Sequence, residues 1–120
     1  MKKLKFFLFI LLAGACNPTP ELDNFDSSAW KSDKYGCNGD RIKLVEQIRE
    51  NQENLKGIDQ RQLIELMGKP DEQELYQRSQ KYFTYYLDPG PECDVPALNP
   101  LKLQIRFNAL GLSNEVVIKR

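Results

Sequence analysis

The stretch Gly57–Asp71, GIDQRQLIELMGKPD, carries a full set of helix boundary signals and divides the chain into a helical half and a strand half. Asp59 is a good N-cap, and Gln62, three residues later, can close a capping box with it. Gly68 supplies the left-handed residue that follows a helix, and Pro70 prevents its continuation. Only about two turns lie between these caps, so this helix must dock on another element to be stable.

The segment before this stretch predicts a first helix of about fifteen residues, with Asn38 or Asp40 as its N-cap. Its apolar side chains recur at helical spacing and share one face with Gln52, while the opposite face is charged. The apolar set is Ile42, Leu44, Val45, Ile48 and Leu55. Two helices joined at Lys56 and Gly57 would therefore form a helical hairpin with one apolar side.

After Pro70 the hydrophobic period changes from 3.6 to 2, which indicates strands. The predicted strands are Glu74–Arg78, Lys81–Leu87, Leu101–Phe107 and Val116–Ile118. Between the second and the third, the segment 89–100, PGPECDVPALNP, holds four prolines that exclude regular structure. The predicted fold class is α+β, with two N-terminal helices packed on one face of a three- to four-stranded antiparallel sheet.

Residues 1–16 have the pattern of a processing signal: a basic start, an apolar run, and small residues directly before Cys16. This pattern resembles a bacterial lipoprotein leader, in which the cysteine is joined to diacylglycerol and becomes the new N-terminus after cleavage. An ordinary secretory peptide or an uncleaved span is the alternative, although about ten apolar residues are too few to cross a bilayer. We therefore predict a signal peptide over 1–16, with Cys16 as the lipidated residue through which the protein is anchored to the lipid bilayer.

The segment 17–29 is rich in Asn, Pro, Asp and Ser and predicts a flexible tether, followed by a folded domain over 30–120. Such a tether would let the domain stand off the membrane surface. Asn17 stands where inner-membrane retention signals usually carry Asp. By analogy, we expect a lipid-anchored protein of the bacterial cell envelope, at the outer membrane.

Charge and composition argue against nucleic acid and against catalysis. Removal of the three leader lysines leaves 14 basic and 17 acidic residues, a net charge of −3. Histidine is absent, so an imidazole base and a His metal ligand are both excluded. Asp88, Glu92 and Asp94 lack the ligand order of an EF-hand, which favours a solvated loop over a calcium site. We expect no enzyme, no cofactor, no metal and no small-molecule substrate.

Cys37 and Cys93 are too far apart in sequence for a CxxC redox pair or a zinc knuckle. The leader predicts export to an oxidising compartment, where two cysteines remain once Cys16 is acylated. Each lies in an irregular segment. We therefore predict a disulfide between Cys37 and Cys93, with two separate buried thiols as the alternative.

Several helix and strand residues form a combination that is typical of one protein family. It comprises Gly57–Asp59, Leu63, Leu66–Gly68 and Pro70–Asp71, with Phe83, Tyr85, Leu103–Asn108 and Gly111 in the strands. Together with the leader, it resembles the BamE-like (SmpA/OmlA) small lipoproteins. The resemblance implies two helices on a small antiparallel sheet and an accessory role in the insertion of β-barrel proteins into the outer membrane. Related folds occur as β-lactamase inhibitor proteins, so an inhibitor of a periplasmic enzyme is the alternative to a protein-binding or assembly-accessory module.

Strand alternation also predicts a partner surface. Tyr82 and Tyr86 point away from the core side, and two helices can cover only one side of the sheet. Tyrosine beside arginine is favoured at interface hot spots, but packing of Tyr82 on Tyr76 or Arg106 across the strands explains the pattern equally well. The predicted partner-binding residues are Tyr82, Tyr86 and Arg106, and the expected partner is an envelope protein.

Overall fold

The computed structural model describes residues 19–120. The predicted leader and its lipidated Cys16 lie outside these residues. The helices are α1 (Ser27–Ser32), α2 (Asp40–Lys43), α3 (Val45–Glu50) and α4 (Gln60–Met67). The strands are β1 (Glu72–Tyr76), β2 (Gln80–Tyr86), β3 (Lys102–Phe107) and β4 (Ser113–Lys119), and 3₁₀ turns occupy Lys34–Gly36, Gln52–Leu55 and Gln77–Ser79. The α+β class is confirmed.

The four strands form one antiparallel sheet in the order β1-β2-β3-β4. The predicted alternation of β3 is confirmed by its burial pattern, and the inward-facing side chains of both β2 and β3 are buried. These are Phe83, Tyr85, Leu103, Ile105 and Phe107. Phe83 and Phe107 pack edge to face with ring centroids 4.8 Å apart. Each such side chain contributes about 1.5–3 kcal/mol through its burial, so this face of the sheet is half of the core.

The boundary signals of α4 are confirmed. The Asp59 carboxylate accepts from the Gln62 amide at 2.8 Å, and the Gln62 side chain accepts from the Asp59 amide at 3.0 Å. The helix ends at Gly68, whose φ of 76° suits glycine. Leu63 and Met67 are fully buried, so α4 docks on the core as its short length requires.

Side chains from other elements satisfy the last carbonyls of α4. Lys31 Nζ donates to the Glu65 carbonyl at 2.6 Å, and Ser27 Oγ donates to the Leu66 carbonyl at 2.7 Å. The Tyr85 hydroxyl donates to the Gly68 carbonyl at 2.8 Å. These groups would otherwise be unpaired at a helix C-terminus. The end of α4 is thereby tied to α1 and to the sheet.

The prediction of one first helix of about fifteen residues is wrong, because α2, α3 and the turn Gln52–Leu55 replace it. The second break falls at Asn51, a buried residue with φ −104° and ψ 10°. Its side chain donates to the carbonyl of Asp23 and accepts from the amide of Asp23, both at 3.0 Å. Asparagine binds backbone groups in this way in competition with helix continuation. Ile48 nevertheless keeps its predicted place in the core.

The prediction of a flexible tether through residue 29 is wrong for its second half. Leu22 and Phe25 pack against the core, and Asp26 caps α1 by accepting from the Ala29 amide. The Phe25 ring lies 5.7 Å from Trp30. Two apolar side chains and the hydrogen bonds between Asp23 and Asn51 together offset the loss of chain entropy. The ordered domain therefore begins before Trp30.

A buried ion pair joins the helical half to the sheet. The Arg41 guanidinium is 1% exposed and lies 2.6 Å from Asp71, through Nη1 and Oδ2. It also donates to the carbonyls of Trp30 and Tyr86, at 3.0 and 3.2 Å. Its central carbon lies 4.9 Å from the centroid of the Trp30 ring, within cation–π range. Arg41 therefore contacts α1, β2 and the residue that leads into β1.

Two carboxylates organise the backbone around Arg41. Asp71 accepts from the amides of Tyr86 and Tyr35, at 2.8 and 3.1 Å, in addition to binding Arg41. Asp33 is fully buried and accepts from the amides of Asn38, Asp40 and Arg41, at 2.7–2.9 Å. Buried carboxylates require such partners. The irregular segment between α1 and α2 is consequently held at a defined position over the sheet.

Candidate partner-binding surface

The structure brings together two of the three predicted partner-binding residues. Tyr82 in β2 is the direct cross-strand partner of Arg106 in β3, on the face of the sheet opposite the core. The Tyr82 ring also packs edge to face on Tyr76 of β1, with centroids 5.6 Å apart. We call Tyr76, Tyr82 and Arg106 the aromatic patch. It lies at the end of β2 nearest the turn Gln77–Ser79.

The aromatic patch is open to solvent to different degrees. Tyr76 is 52% exposed and Tyr82 is half-buried. Arg106 forms a 3.3 Å ion pair with Glu115 of β4, which at this exposure contributes at most about 1 kcal/mol. Its Nε is buried and has no hydrogen-bond acceptor within residues 19–120. The patch thus combines accessible aromatic surface with a positively charged guanidinium.

Tyr86 does not belong to this patch, and the prediction that it lies uncovered is wrong. Its side chain is 5% exposed, and its hydroxyl donates to the Glu72 carboxylate at 2.9 Å. A Cβ at Gly90 would lie 2.7 Å from the ring, so the Pro-rich segment folds back against this tyrosine. Burial and the hydrogen bond to Glu72 raise the Tyr86 pKa to about 12. The hydroxyl therefore remains a donor at neutral pH.

The disulfide prediction is confirmed at the level of distance, since Cys37 and Cys93 lie at bonding separation with their Cα atoms 5.5 Å apart. The pair connects the turn after α1 to the Pro-rich segment 89–100. Beside it, the Gly90 amide donates to the Tyr35 carbonyl at 2.9 Å. These links hold the Pro-rich segment over Tyr86 and leave the opposite end of the outer face open.

β1 forms an exposed edge of the sheet. Within residues 19–120 it pairs with β2 on one side only, and all five of its residues are exposed. Leu75 is 79% exposed on the face that elsewhere forms the core, so the helical layer does not extend over β1. The predicted strand Glu74–Arg78 ends earlier, because Arg78 and Ser79 adopt positive φ in a tight turn. An edge strand with exposed apolar side chains is a template for a further strand.

Asp88, one of the three loop carboxylates, has structural partners. Asp88 accepts from the Leu101 amide at 2.9 Å and pairs with Arg120 at 3.3 Å. Within residues 19–120, no cluster of three His, Cys, Asp or Glu side chains is arranged to hold a metal ion. Asp88 thus anchors the return of the Pro-rich segment into β3.

Comparison of the chain with protein-family models, with curated proteins and with solved structures finds no match.

Proposed function

We propose that the protein is a lipid-anchored module of the bacterial cell envelope that acts by binding another protein, not by catalysis. The observation that carries this proposal is the aromatic patch beside the exposed β1 edge. Tyrosine and arginine dominate interface hot spots, where one anchor can contribute about 2 kcal/mol or more. The leader pattern ending at Cys16 supports the anchor. No helix in the described part of the chain is long and apolar enough to span a membrane.

The proposed occupant of this surface is an extended segment of an envelope protein that adds a strand to β1. Main-chain hydrogen bonds at a free edge supply affinity in this mode, and pockets for alternate side chains supply specificity. Glu72 and Glu74 lie on the outer face of β1, and Leu75 lies on the inner face. The complementary segment is therefore basic on one face and apolar on the other.

For the fold, we further propose a BamE-like arrangement. In it, α4 forms one layer over the inner face of the sheet together with α2 and α3, which replace the predicted first helix. Burial of Leu63, Met67 and Ile48 with the inward strand residues supports it. Within this proposal the role is that of an assembly accessory, which co-purifies with integral barrel proteins. The alternative is an inhibitor of a periplasmic enzyme, which binds a soluble enzyme and lowers its turnover. The turn Gln77–Ser79 supports that alternative, because all three of its residues are exposed and could contact an enzyme.

The anchor is tested by labelling cells with palmitate. The wild-type chain should incorporate the label and sediment with membranes, and Cys16→Ser should lose the label because it removes the acylated sulfur. Ser28→Ala, a neighbouring change at an exposed site, should leave labelling unchanged. Label on the Cys16→Ser chain, or none on the wild type, would show that the anchor is assigned wrongly.

The partner surface is tested by changing Tyr76 and Tyr82 together to Ser. We expect a loss of at least about tenfold in partner capture by crosslinking in intact cells, because two aromatic anchors are removed. The melting temperature should change little, since both side chains retain solvent contact. Leu98→Ser removes an exposed apolar side chain from the Pro-rich segment, at the other end of the outer face, and should capture normally. Normal capture by the double variant would contradict the assignment of this surface.

A further inference from the structure

The Cys37–Cys93 disulfide lies at the surface of the domain. Cys37 is exposed and Cys93 is half-buried. A thiolate must reach one of the two sulfur atoms in order to break such a bond, and exposed disulfides are accordingly among the labile ones in proteins. The bond is therefore open to a reductant while the domain remains folded.

The Pro-rich segment packs little of its own surface into the domain. Among residues 89–100, only Gly90 is buried, and the large apolar side chains of Val95 and Leu98 are exposed. The segment therefore gains little stabilisation from burial of its own side chains. The Gly90 amide donates to the Tyr35 carbonyl at 2.9 Å, a single backbone bond close to the start of the segment. The disulfide is the covalent link that fixes the middle of the segment.

The segment covers a tyrosine that lies on the same face of the sheet as the aromatic patch. Tyr82 and Tyr86 are four residues apart on β2, so their side chains point to one face, about 13 Å apart along the strand. Tyr82 is half-buried, whereas Tyr86 is 5% exposed because Gly90 packs on its ring. Displacement of the segment would expose Tyr86 and extend the aromatic patch along β2.

The two ends of the segment are anchored independently of the disulfide. The Asp88 amide donates to the Leu101 carbonyl at 3.1 Å, and the Asp88 carboxylate accepts from the Leu101 amide at 2.9 Å. The segment connects β2 and β3, which pair with each other and bury their inward side chains. Loss of the disulfide would therefore release the segment between its ends without separating these strands.

We propose that the Cys37–Cys93 disulfide is a redox latch that keeps the Pro-rich segment over Tyr86, and that its reduction adds Tyr86 to the partner surface. The exposure of Cys37 and the cover that the segment gives to Tyr86 carry this inference. It rests on the proposed function, because it concerns the regulation of the same surface. The oxidised protein presents the aromatic patch alone, and the reduced protein presents the patch together with Tyr86.

The reductant in this proposal is a protein dithiol. One of its thiolates attacks the exposed Cys37 sulfur and forms a mixed disulfide, and Cys93 leaves as a thiolate that takes up the proton released by the attacking thiol. The second thiol of the reductant then attacks the mixed disulfide and releases Cys37, which takes up the second proton. Both cysteines end as thiols, and the dithiol ends as a disulfide.

The first test measures the accessibility of the tyrosine rings in full-length protein in phosphatidylcholine nanodiscs, with isotope-labelled tyrosine. A soluble gadolinium chelate broadens the NMR signals of exposed rings. In the oxidised protein it should broaden Tyr76 and spare both Tyr86 and the fully buried Tyr85. Dithiothreitol without denaturant should raise the broadening of Tyr86 to that of the half-buried Tyr82, while Tyr85 stays protected because the core remains folded.

Cys37→Ser/Cys93→Ser reproduces the reduced state and serves as the control for the reductant. Its Tyr86 ring should be accessible with and without dithiothreitol. Three results would overturn the proposal: a Tyr86 ring that stays protected after reduction, thiols that form only when urea is added, or a Tyr85 ring that becomes accessible together with Tyr86.

The second test measures partner capture by crosslinking in intact cells. Capture by Cys37→Ser/Cys93→Ser should exceed capture by the wild type at least about tenfold, as expected for one further tyrosine anchor. Tyr86→Ser in the same background should cancel this gain. Equal capture by the wild type and the double variant would contradict the regulatory role. Absence of capture from every chain would contradict the proposed function itself, whereas the accessibility of Tyr86 decides the latch without any partner.

Discussion

Arg41→Ala should lower the free energy of unfolding by about 3–5 kcal/mol, because it leaves the Asp71 carboxylate buried without its counter-ion. It also removes the donors to the carbonyls of Trp30 and Tyr86. A domain of this size has a total stability of about 5–15 kcal/mol, so this one change removes a large part of it. Urea denaturation followed by Trp30 fluorescence measures the effect, since Trp30 lies against the guanidinium.

Arg49→Ala is the matched control. Arg49 lies on the exposed face of α3 and pairs with Glu46 at 3.6 Å, an interaction that contributes at most about 0.5 kcal/mol. An effect of Arg41→Ala no larger than that of Arg49→Ala would contradict the role assigned to the buried pair.

Asp71→Asn completes a double-mutant cycle with Arg41→Ala. Asparagine keeps one oxygen to accept from backbone amides but removes the charge that faces Arg41. The coupling free energy should be about 2 kcal/mol or more, because the two groups share one buried network. A coupling near zero would mean that each residue acts through separate backbone contacts.

Replacing both Cys37 and Cys93 with Ser should destabilise the protein by about 4 kcal/mol on the chain-entropy model, because the bond closes a loop between residues 56 positions apart. The urea midpoint of the oxidised wild type should exceed that of the double variant, and reductant should lower only the wild-type midpoint. An equal midpoint for oxidised and reduced wild type would contradict a stabilising disulfide.

The same variant tests the connection between the disulfide and Tyr86. Without the covalent link, the Pro-rich segment is held near Tyr86 by backbone contacts such as the Gly90 amide to Tyr35 carbonyl bond. We therefore expect the Gly90 amide to exchange faster in the double variant because its segment opens locally. The β3 amides should still exchange only through global unfolding. Unchanged exchange at Gly90 would show that the disulfide does not position this segment.

The parts of the fold that the sequence predicts correctly have local signals. The capping box joins Asp59 and Gln62, which are three positions apart, and the inward face of β3 follows from strict alternation. The break at Asn51 has no such signal, because it depends on contacts with Asp23, 28 residues away. Helical periodicity is similar whether a helix continues or is interrupted by short turns, so the apolar face was predictable and the break was not.

The interaction at the centre of the structure was missed for the same reason. Arg41 stands in a predicted amphipathic helix, where arginine usually marks the solvated face. Its burial follows from pairing with Asp71, 30 residues later, and no periodic pattern connects the two. The sequence indicates this pair only by the position of Asp71, an acidic residue that directly follows Pro70 at the end of the predicted helix.

The sequence predicts the positions of the candidate partner-binding residues in part. Alternation correctly places Tyr82 on the outer face opposite Arg106. It also places Tyr86 on that face, but it does not report what covers the face. The path of the Pro-rich segment, which is aperiodic, decides that Tyr86 is buried and Tyr82 is half-buried.

The most direct test of the central claim, that the protein acts by contact through the aromatic patch, is photo-crosslinking in intact cells. A photo-reactive phenylalanine would replace Tyr76 in one chain and, in another, the exposed Leu98 of the Pro-rich segment. We expect a discrete adduct with one envelope protein from position 76 and none from position 98. A free monomer from position 76, or the same adducts from both positions, would contradict it.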